Sequence, residues 1–429
     1  MGSWKPLWVM VVLLLGAMPV WAQTTKPKPQ SEAVPFRVIE SPYYMIKNDL
    51  PDDRMREVYI RMTRMYEEYQ QRTAGFSGQN RGMLNFELFT KKEDYYAAGG
   101  MPGSAGVFMS GGVRGSRLMA IAGEKNTEWT WHVIQHEGFH QFASAVIRGN
   151  LPPWVNEGLA EYFGEAIFTG DSYVAGIVPN DRLKELQGMI SKDVSKPLYA
   201  MLTMTHAEWN GALDHKNYTQ AWSMIHFLAH GDDGKYQKAL VQFMNNLSAG
   251  ANPQTAWTNV FGNDFTAFEK RWKEYWSGLK PNSTQYLYDE AAQRVLTSIL
   301  ARVVLNGQKF DTAEDFLKAC EAKKIEIPLS AKNWLPVALL EEHLPVARKS
   351  GKWEIIPAVS GKSLQLKRTT KEDKVFISSY LTNGTSITKV TFAPQLAPTT
   401  QPAGTSTNTP TTKPTVTPTT RPTRPPGVY

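Results

Sequence analysis

Cysteine is nearly missing from this chain: Cys320 is the only one among 429 residues, so no intrachain disulfide can form. Stability must come from a hydrophobic core, and a chain of this length can build one over two or three domains without covalent staples. The lone thiol reads as a small buried apolar residue. Long hydrophobic runs are scarce as well. The most apolar stretch, Leu7 to Leu15, falls short of the ~20 residues that a spanning helix requires, so no membrane span is expected. It follows Lys5 and leads to Val20-Trp21-Ala22, a pattern that reads as a secretory signal peptide over residues 1–22. The mature chain is expected to begin near Gln23, secreted or periplasmic. A strong charge of one sign is also missing once the formal +7 is apportioned. Lys5 leaves with the signal, residues 23–34 carry a net single positive charge, and Lys413, Arg421 and Arg424 sit in a C-terminal tail. The remainder is close to neutral, which gives no reason to propose nucleic acid as a partner.

What is present divides into five parts. Residues 23–34, with Pro27, Pro29 and Ser31, read as a linker, and residues 396–429, dominated by Thr and Pro, read as an unstructured tail. Between them, Phe36 to Ser41, Tyr43 to Ile46 and Leu84 to Thr90 read as strands, and Asp52 to Arg72 as an amphipathic helix. Two short apolar runs, Gly106 to Met109 and Leu118 to Ala122, flank Gly111, Gly112 and Gly115 like a hairpin. A helix over about Glu128 to Ile147 follows, then a second beginning near Asn156. Beyond these, Asn217 to Ala229, Lys235 to Asn246 and Asp264 to Tyr275 show helical spacing. The expected fold class is α+β: a small mixed sheet packed on a long helix, then a helical subdomain, together spanning residues 35–283. Residues 284–395 are expected to form a small α+β module of two helices and four strands, with no recognisable chemistry.

The chemistry concentrates in His136-Glu137-Gly138-Phe139-His140. Four residues apart on a helix, the histidines differ by only ~40° in azimuth, so one ion can be reached by both imidazoles. Glu137 beside the first ligand can take a proton from a water activated by the metal. Zinc catalysis needs a third protein ligand and one open position, and Glu157, 17 residues beyond His140, supplies it from the next helix. Glu161, one turn further, can hydrogen-bond the far nitrogen of a ligand histidine. Val155, Leu159, Ala160, Tyr162 and Phe163 around these glutamates argue that the helix is buried, where unpaired carboxylates would be costly. His132 is stretched too far along the helix to share the ion and reads as a supporting or structural residue. His226 and His230 repeat the four-residue spacing without a carboxylate partner in view.

At His136-Glu137-Gly138-Phe139-His140 and Asn156-Glu157-Gly158-Leu159-Ala160-Glu161-Tyr162 the chain resembles the gluzincin zinc metallopeptidases. It is closer still to a group of exported bacterial peptidase-like domains of unknown function, with the same His-Glu-x-x-His-Gln and Trp-x-Asn-Glu-Gly-Leu-Ala-Glu-Tyr runs. The likeness covers Phe36 to about Trp276. It implies a zincin-like fold, zinc (Zn2+) on His136, His140 and Glu157, Glu137 as general base, and Glu161 as the orienting carboxylate. The resembled enzymes also draw an oxyanion-stabilising Tyr or His from the helical subdomain, which here means Tyr218 or, alternatively, His226. They place a sheet edge that pairs with an extended peptide where this chain has the hairpin Gly106 to Ala122. The substrate implied is a peptide or protein. A Gly-Ala-Met-Glu-Asn run of the aminopeptidase kind is missing, which turns the expectation toward an endopeptidase. The alternative is a zincin-like scaffold, weak or inactive in catalysis, used for binding or adhesion.

Overall fold

Short β-branched and aromatic runs near the start of the chain form the sheet that carries everything else. The structure is a computed structural model that describes residues 36–394 except 81, 112–114, 123–126, 150, 213, 330 and 359–362. The expected signal peptide over residues 1–22, linker 23–34 and tail 396–429 lie outside the described residues. Strands β1 (Arg37–Glu40), β2 (Tyr44–Asn48), β3 (Leu84–Phe89), β4 (Gly106–Met109) and β5 (Arg117–Ile121) form a mixed sheet in the order β1-β2-β3-β5-β4. The central pairs β2/β3 and β3/β5 are parallel, and the outer strands β1 and β4 are antiparallel to their neighbours.

Alternation along these strands sends successive side chains to opposite faces. Ile46, Phe86, Leu88, Leu118 and Ala120 point into the main core, where they meet α1 (Asp52–Thr73) through Val58, Met62 and Met65 and α3 (Glu128–Val146) through Ile134, Phe139 and Phe142. Val107 and Met119 point the other way, under Tyr95 of the short helix α2 (Lys92–Ala97).

After α3 the chain turns into α4 (Pro153–Gly164), a two-stranded hairpin of β6 (Ile167–Phe168) and β7 (Tyr173–Val174), and a helical layer. This layer comprises α5 (Asn180–Ser191), α6 (Leu198–Thr203), α7 (His206–Ala212), α8 (His215–Gly234), α9 (Gln237–Ser248), α10 (Pro253–Phe261) and α11 (Phe265–Gly278). Helix α4 begins at Pro153, not near Asn156. A proline is pre-organised for the first helical position, where its missing N–H has no partner to lose, so Pro152-Pro153 starts this helix rather than only separating it from the last.

Residues 285–394 contain three helices where two are expected: α12 (Gln285–Leu305), α13 (Ala313–Glu321) and α14 (Val337–Ser350). Four antiparallel strands follow, β8 (Lys352–Pro357), β9 (Leu364–Thr369), β10 (Val375–Thr382) and β11 (Ile387–Pro394). This region is continuous with the preceding one, since the described residues form one compact unit. Helix α12 is buried against both parts. Its Gln293 donates to Leu366 O and Phe376 O of the C-terminal sheet. On another face, Arg302 makes a bidentate pair with Asp171 of the β6–β7 turn, at 2.7 and 3.0 Å, with Ser298 on the same carboxylate. The architecture is α+β as expected, and among the described residues no helix is long and apolar enough to cross a membrane.

Candidate metal centre

Helix α3 starts with a reciprocal cap, in which Thr127 and Thr130 bond each other's backbone N–H, and runs directly beneath the sheet. Helix α4 is locked to it by Gln135, one residue before His136. The Gln135 amide donates to the carbonyls of Phe163, Gly164 and Ala166 at 3.0–3.1 Å, at and just beyond the end of α4. That bond fixes the distance between the two helices that carry the site.

The three residues expected from the sequence come together. His136 Nε2 and His140 Nε2 lie 3.1 Å apart, and each is 3.4 Å from Glu157 Oε2. All three side chains are buried, and these atoms converge as a group that could hold a metal ion. Two polar atoms at the centre are buried without a hydrogen-bond partner: Glu157 Oε2 and Glu137 Oε1. Leaving such atoms unsatisfied is expensive, and a cation among them removes the penalty. Burial by itself disfavours the charged forms of both His140 and Glu157. Their mutual attraction outweighs it, raising the pKa of His140 and lowering that of Glu157.

Glu161 faces the other side of His136, with Oε1 at 3.4 Å from Nδ1. Its carboxyl is held down at about 2: burial works against this, and Arg182, His136 and His132 overcome it. His132 is not part of the triad. It sits between Glu161 and Glu165, at 3.6 and 3.7 Å, under the exposed ring of Trp129. Burial lowers its pKa, with the neighbouring glutamates opposing.

Glu137 is nearly inaccessible at 1% exposure, yet it is reached by the sheet. Phe108 N–H on edge strand β4 donates to its Oε2 at 2.9 Å. The approach requires Gly106, because a Cβ there would fall 2.6 Å from Val133 Cγ1 and 3.2 Å from Glu137 Cγ. On the opposite side α8 packs against α4 equally closely, since a Cβ on Gly158 would fall 2.5 Å from Ala221 O.

The two residues weighed for the oxyanion role have different surroundings on α8. Tyr218 is partly buried, edge-on to the Trp209 ring, and its hydroxyl pKa is raised first by burial and then by Glu157, Glu161 and Glu137. His226 faces elsewhere: its Nε2 is 3.0 Å from Gly176 O, and it lies among Trp222, Trp276 and His230. Burial and His230 push its pKa down to about 3, so it is a neutral core histidine. His230 pairs with Tyr162 Oη at 2.9 Å, and no carboxylate joins the two histidines in a metal-capable group among the described residues.

Sequence reasoning missed three contributors. Glu165 was legible, because Glu157, Glu161 and Glu165 make a four-residue stripe. Phe108 acts through its backbone and Arg182 from a separate helix, and neither leaves a sequence signal. Residues 131–253 match a family model described as a protein of unknown function (DUF1570), a segment that contains the triad, Glu137, Glu161 and Tyr218. No curated protein and no solved structure matches the chain.

Proposed function

We propose that this protein is a zinc-dependent peptidase of the gluzincin kind, acting outside the cytoplasm as an endopeptidase. The observation that carries the reading is the donor triangle of His136, His140 and Glu157, with edges of 3.1, 3.4 and 3.4 Å. Zinc bonds of ~2.0–2.1 Å in tetrahedral array require donors ~3.3–3.4 Å apart, so these residues fit the ion and leave a fourth position open. A bound zinc ion would supply Lewis acidity, making a water nucleophilic near neutral pH and polarising the scissile carbonyl.

The chain's own residues divide the remaining work. Glu137, with one oxygen tied to Phe108 N–H and the other uncommitted, is placed to accept a proton from the attacking water and deliver it to the leaving amine. Tyr218 keeps its proton to high pH and is the candidate donor to the oxyanion; His226, committed to Gly176, is not. Among the described residues strand β4 pairs with no strand other than β5, and on its outer edge the Phe108 N–H is bonded to Glu137. Because Val107 and Met109 face β5 through the ladder continued from Ala105, the backbone of Gly106 and Phe108 turns toward α3. A peptide laid along that edge would run past the triad, and to pair with Phe108 it would have to take the N–H from Glu137.

The test is hydrolysis of an unstructured protein by purified wild type and by Glu137→Gln, with zinc content measured for both. Loss of cleavage with zinc retained supports the peptidase reading. Equal behaviour of the two proteins would favour the non-catalytic binding scaffold instead.

A further inference from the structure

Arg182 occupies the first turn of α5, where the helix carries partial positive charge and disfavours a cation. Its guanidinium is nevertheless drawn inward, 5.1 Å from the centroid of the Trp222 ring, and set between two carboxylates. Nη2 donates to Glu161 Oε2, and Nη1 lies 3.3 Å from Glu165 Oε1. The other oxygen of Glu161 is the one that faces His136 Nδ1. His132, His136 and Glu161 are spaced closely enough to suggest a second metal position. The Glu161 oxygen nearest His132 is already bonded by Arg182, so the cation that serves this position is the guanidinium.

We propose that Arg182 is a positioning residue of the metal centre, an inference that rests on the metal-site reading above. By holding Glu161 from behind, it keeps the free carboxylate oxygen on His136 Nδ1. That contact fixes the tautomer and ring plane that present Nε2 to the metal. An isolated glutamate has several rotatable bonds and two equivalent oxygens, and nothing in its own chemistry selects one orientation. The planar fork of arginine grips two carboxylates at once in a fixed geometry; a lysine ammonium supplies the charge without the fork. Glu161 on α4 and Glu165, the residue that caps its C-terminus, are one helical turn apart, so the same guanidinium also offsets their repulsion.

The experiment uses the full chain. Zinc dissociation constants are measured by chelator competition for wild type, Arg182→Met, Arg182→Lys, Glu161→Gln and the double variant Arg182→Met/Glu161→Gln. Visible spectra of the cobalt-substituted proteins report the geometry of the ligands. Arg182→Met is expected to weaken zinc binding ~10–100-fold and to alter the cobalt spectrum. Arg182→Lys should recover part of the loss, and Arg182→Met should cost nothing further once Glu161 is already Gln. Wild-type affinity in Arg182→Met, or losses that multiply in the double variant, would overturn the proposal and leave Arg182 a role in folding alone. Should Arg182→Met fail to fold, Arg182→Gln carries the same cycle with the same two outcomes. If the wild type itself binds no zinc, the metal-site reading falls and takes this inference with it; zinc binding that ignores Arg182 rejects the inference alone.

Discussion

Phe108 and Glu137 meet across the gap between the sheet edge and α3: the Phe108 N–H donates to Glu137 Oε2 at 2.9 Å, and Glu137 Oε1 has no hydrogen-bond partner. One oxygen is anchored and the other is left for chemistry. Glu137→Gln keeps the volume and can keep the bond to Phe108, but an amide cannot accept the proton of a water. This variant should retain zinc and lose nearly all turnover. Glu161→Gln should instead weaken zinc affinity ~10–100-fold and lower activity only in part. Metal content and kcat measured side by side decide it, and identical behaviour of the two variants counts against the division of roles.

His140→Ala removes one corner of the donor triangle and leaves Glu157 with His136 as its remaining partner in the triad. The protein should no longer copurify with zinc. Elemental analysis that finds one zinc per chain in this variant would show the ligand assignment to be wrong.

Gly158→Ala separates helix propensity from packing. In an exposed helix interior the change stabilises by roughly 0.5–1 kcal/mol. Here the added Cβ would sit 2.5 Å from the Ala221 carbonyl, a backbone atom that moves only with α8. A net loss of ~1–3 kcal/mol is expected, together with impaired activity as Tyr218 is displaced. Urea midpoints check the sign.

Buried histidines give the fold an acid limit. His226 has its pKa pushed down to about 3 by burial and by His230, and His343 to about 4 by burial, against a bond to Phe168 that opposes the shift. In the unfolded chain both take up a proton near 6.5. Their contribution is therefore fully present above about pH 6.5 and declines as pH falls toward 4, by ~1.4 kcal/mol per pH unit for each group. His226→Gln and His343→Gln remove one titration each. The loss of stability between pH 6.5 and 4.5, measured by urea unfolding, should be shallower in each variant than in wild type.

Truncation separates tail from fold. Removing residues 396–429 should leave the melting temperature and activity unchanged, because a Thr/Pro-rich segment has too few apolar side chains to bury a core. Removing residues 284–429 deletes Arg302 together with Val295, Leu296, Ile299 and Leu339, which share the main core, and so exposes the apolar surface they cover. The shorter product is expected to be insoluble or unfolded by circular dichroism.

The α+β class, the strands of the first sheet, the helix α3 and the grouping of His136, His140, Glu157 and Glu161 were all legible in the sequence, for a local reason. Helical spacing of four places side chains on one face whatever surrounds the helix, and alternation does the same for strands. Even Glu165 lay within reach of that rule. Tertiary structure alone decided the rest. That Phe108 holds Glu137 depends on β4 lying against α3, and one backbone N–H is like any other until a fold aims it. That Arg182 stands behind Glu161 depends on α5 packing on α8 and α11, an arrangement no periodicity encodes. That His226 meets Gly176 O while Tyr218 lies against Trp209 depends on how α8 is packed, which helical spacing alone does not give. The link across residue 284 is hidden for the same reason: α12 reads as an ordinary apolar helix, and only its packing shows Arg302 reaching back to Asp171.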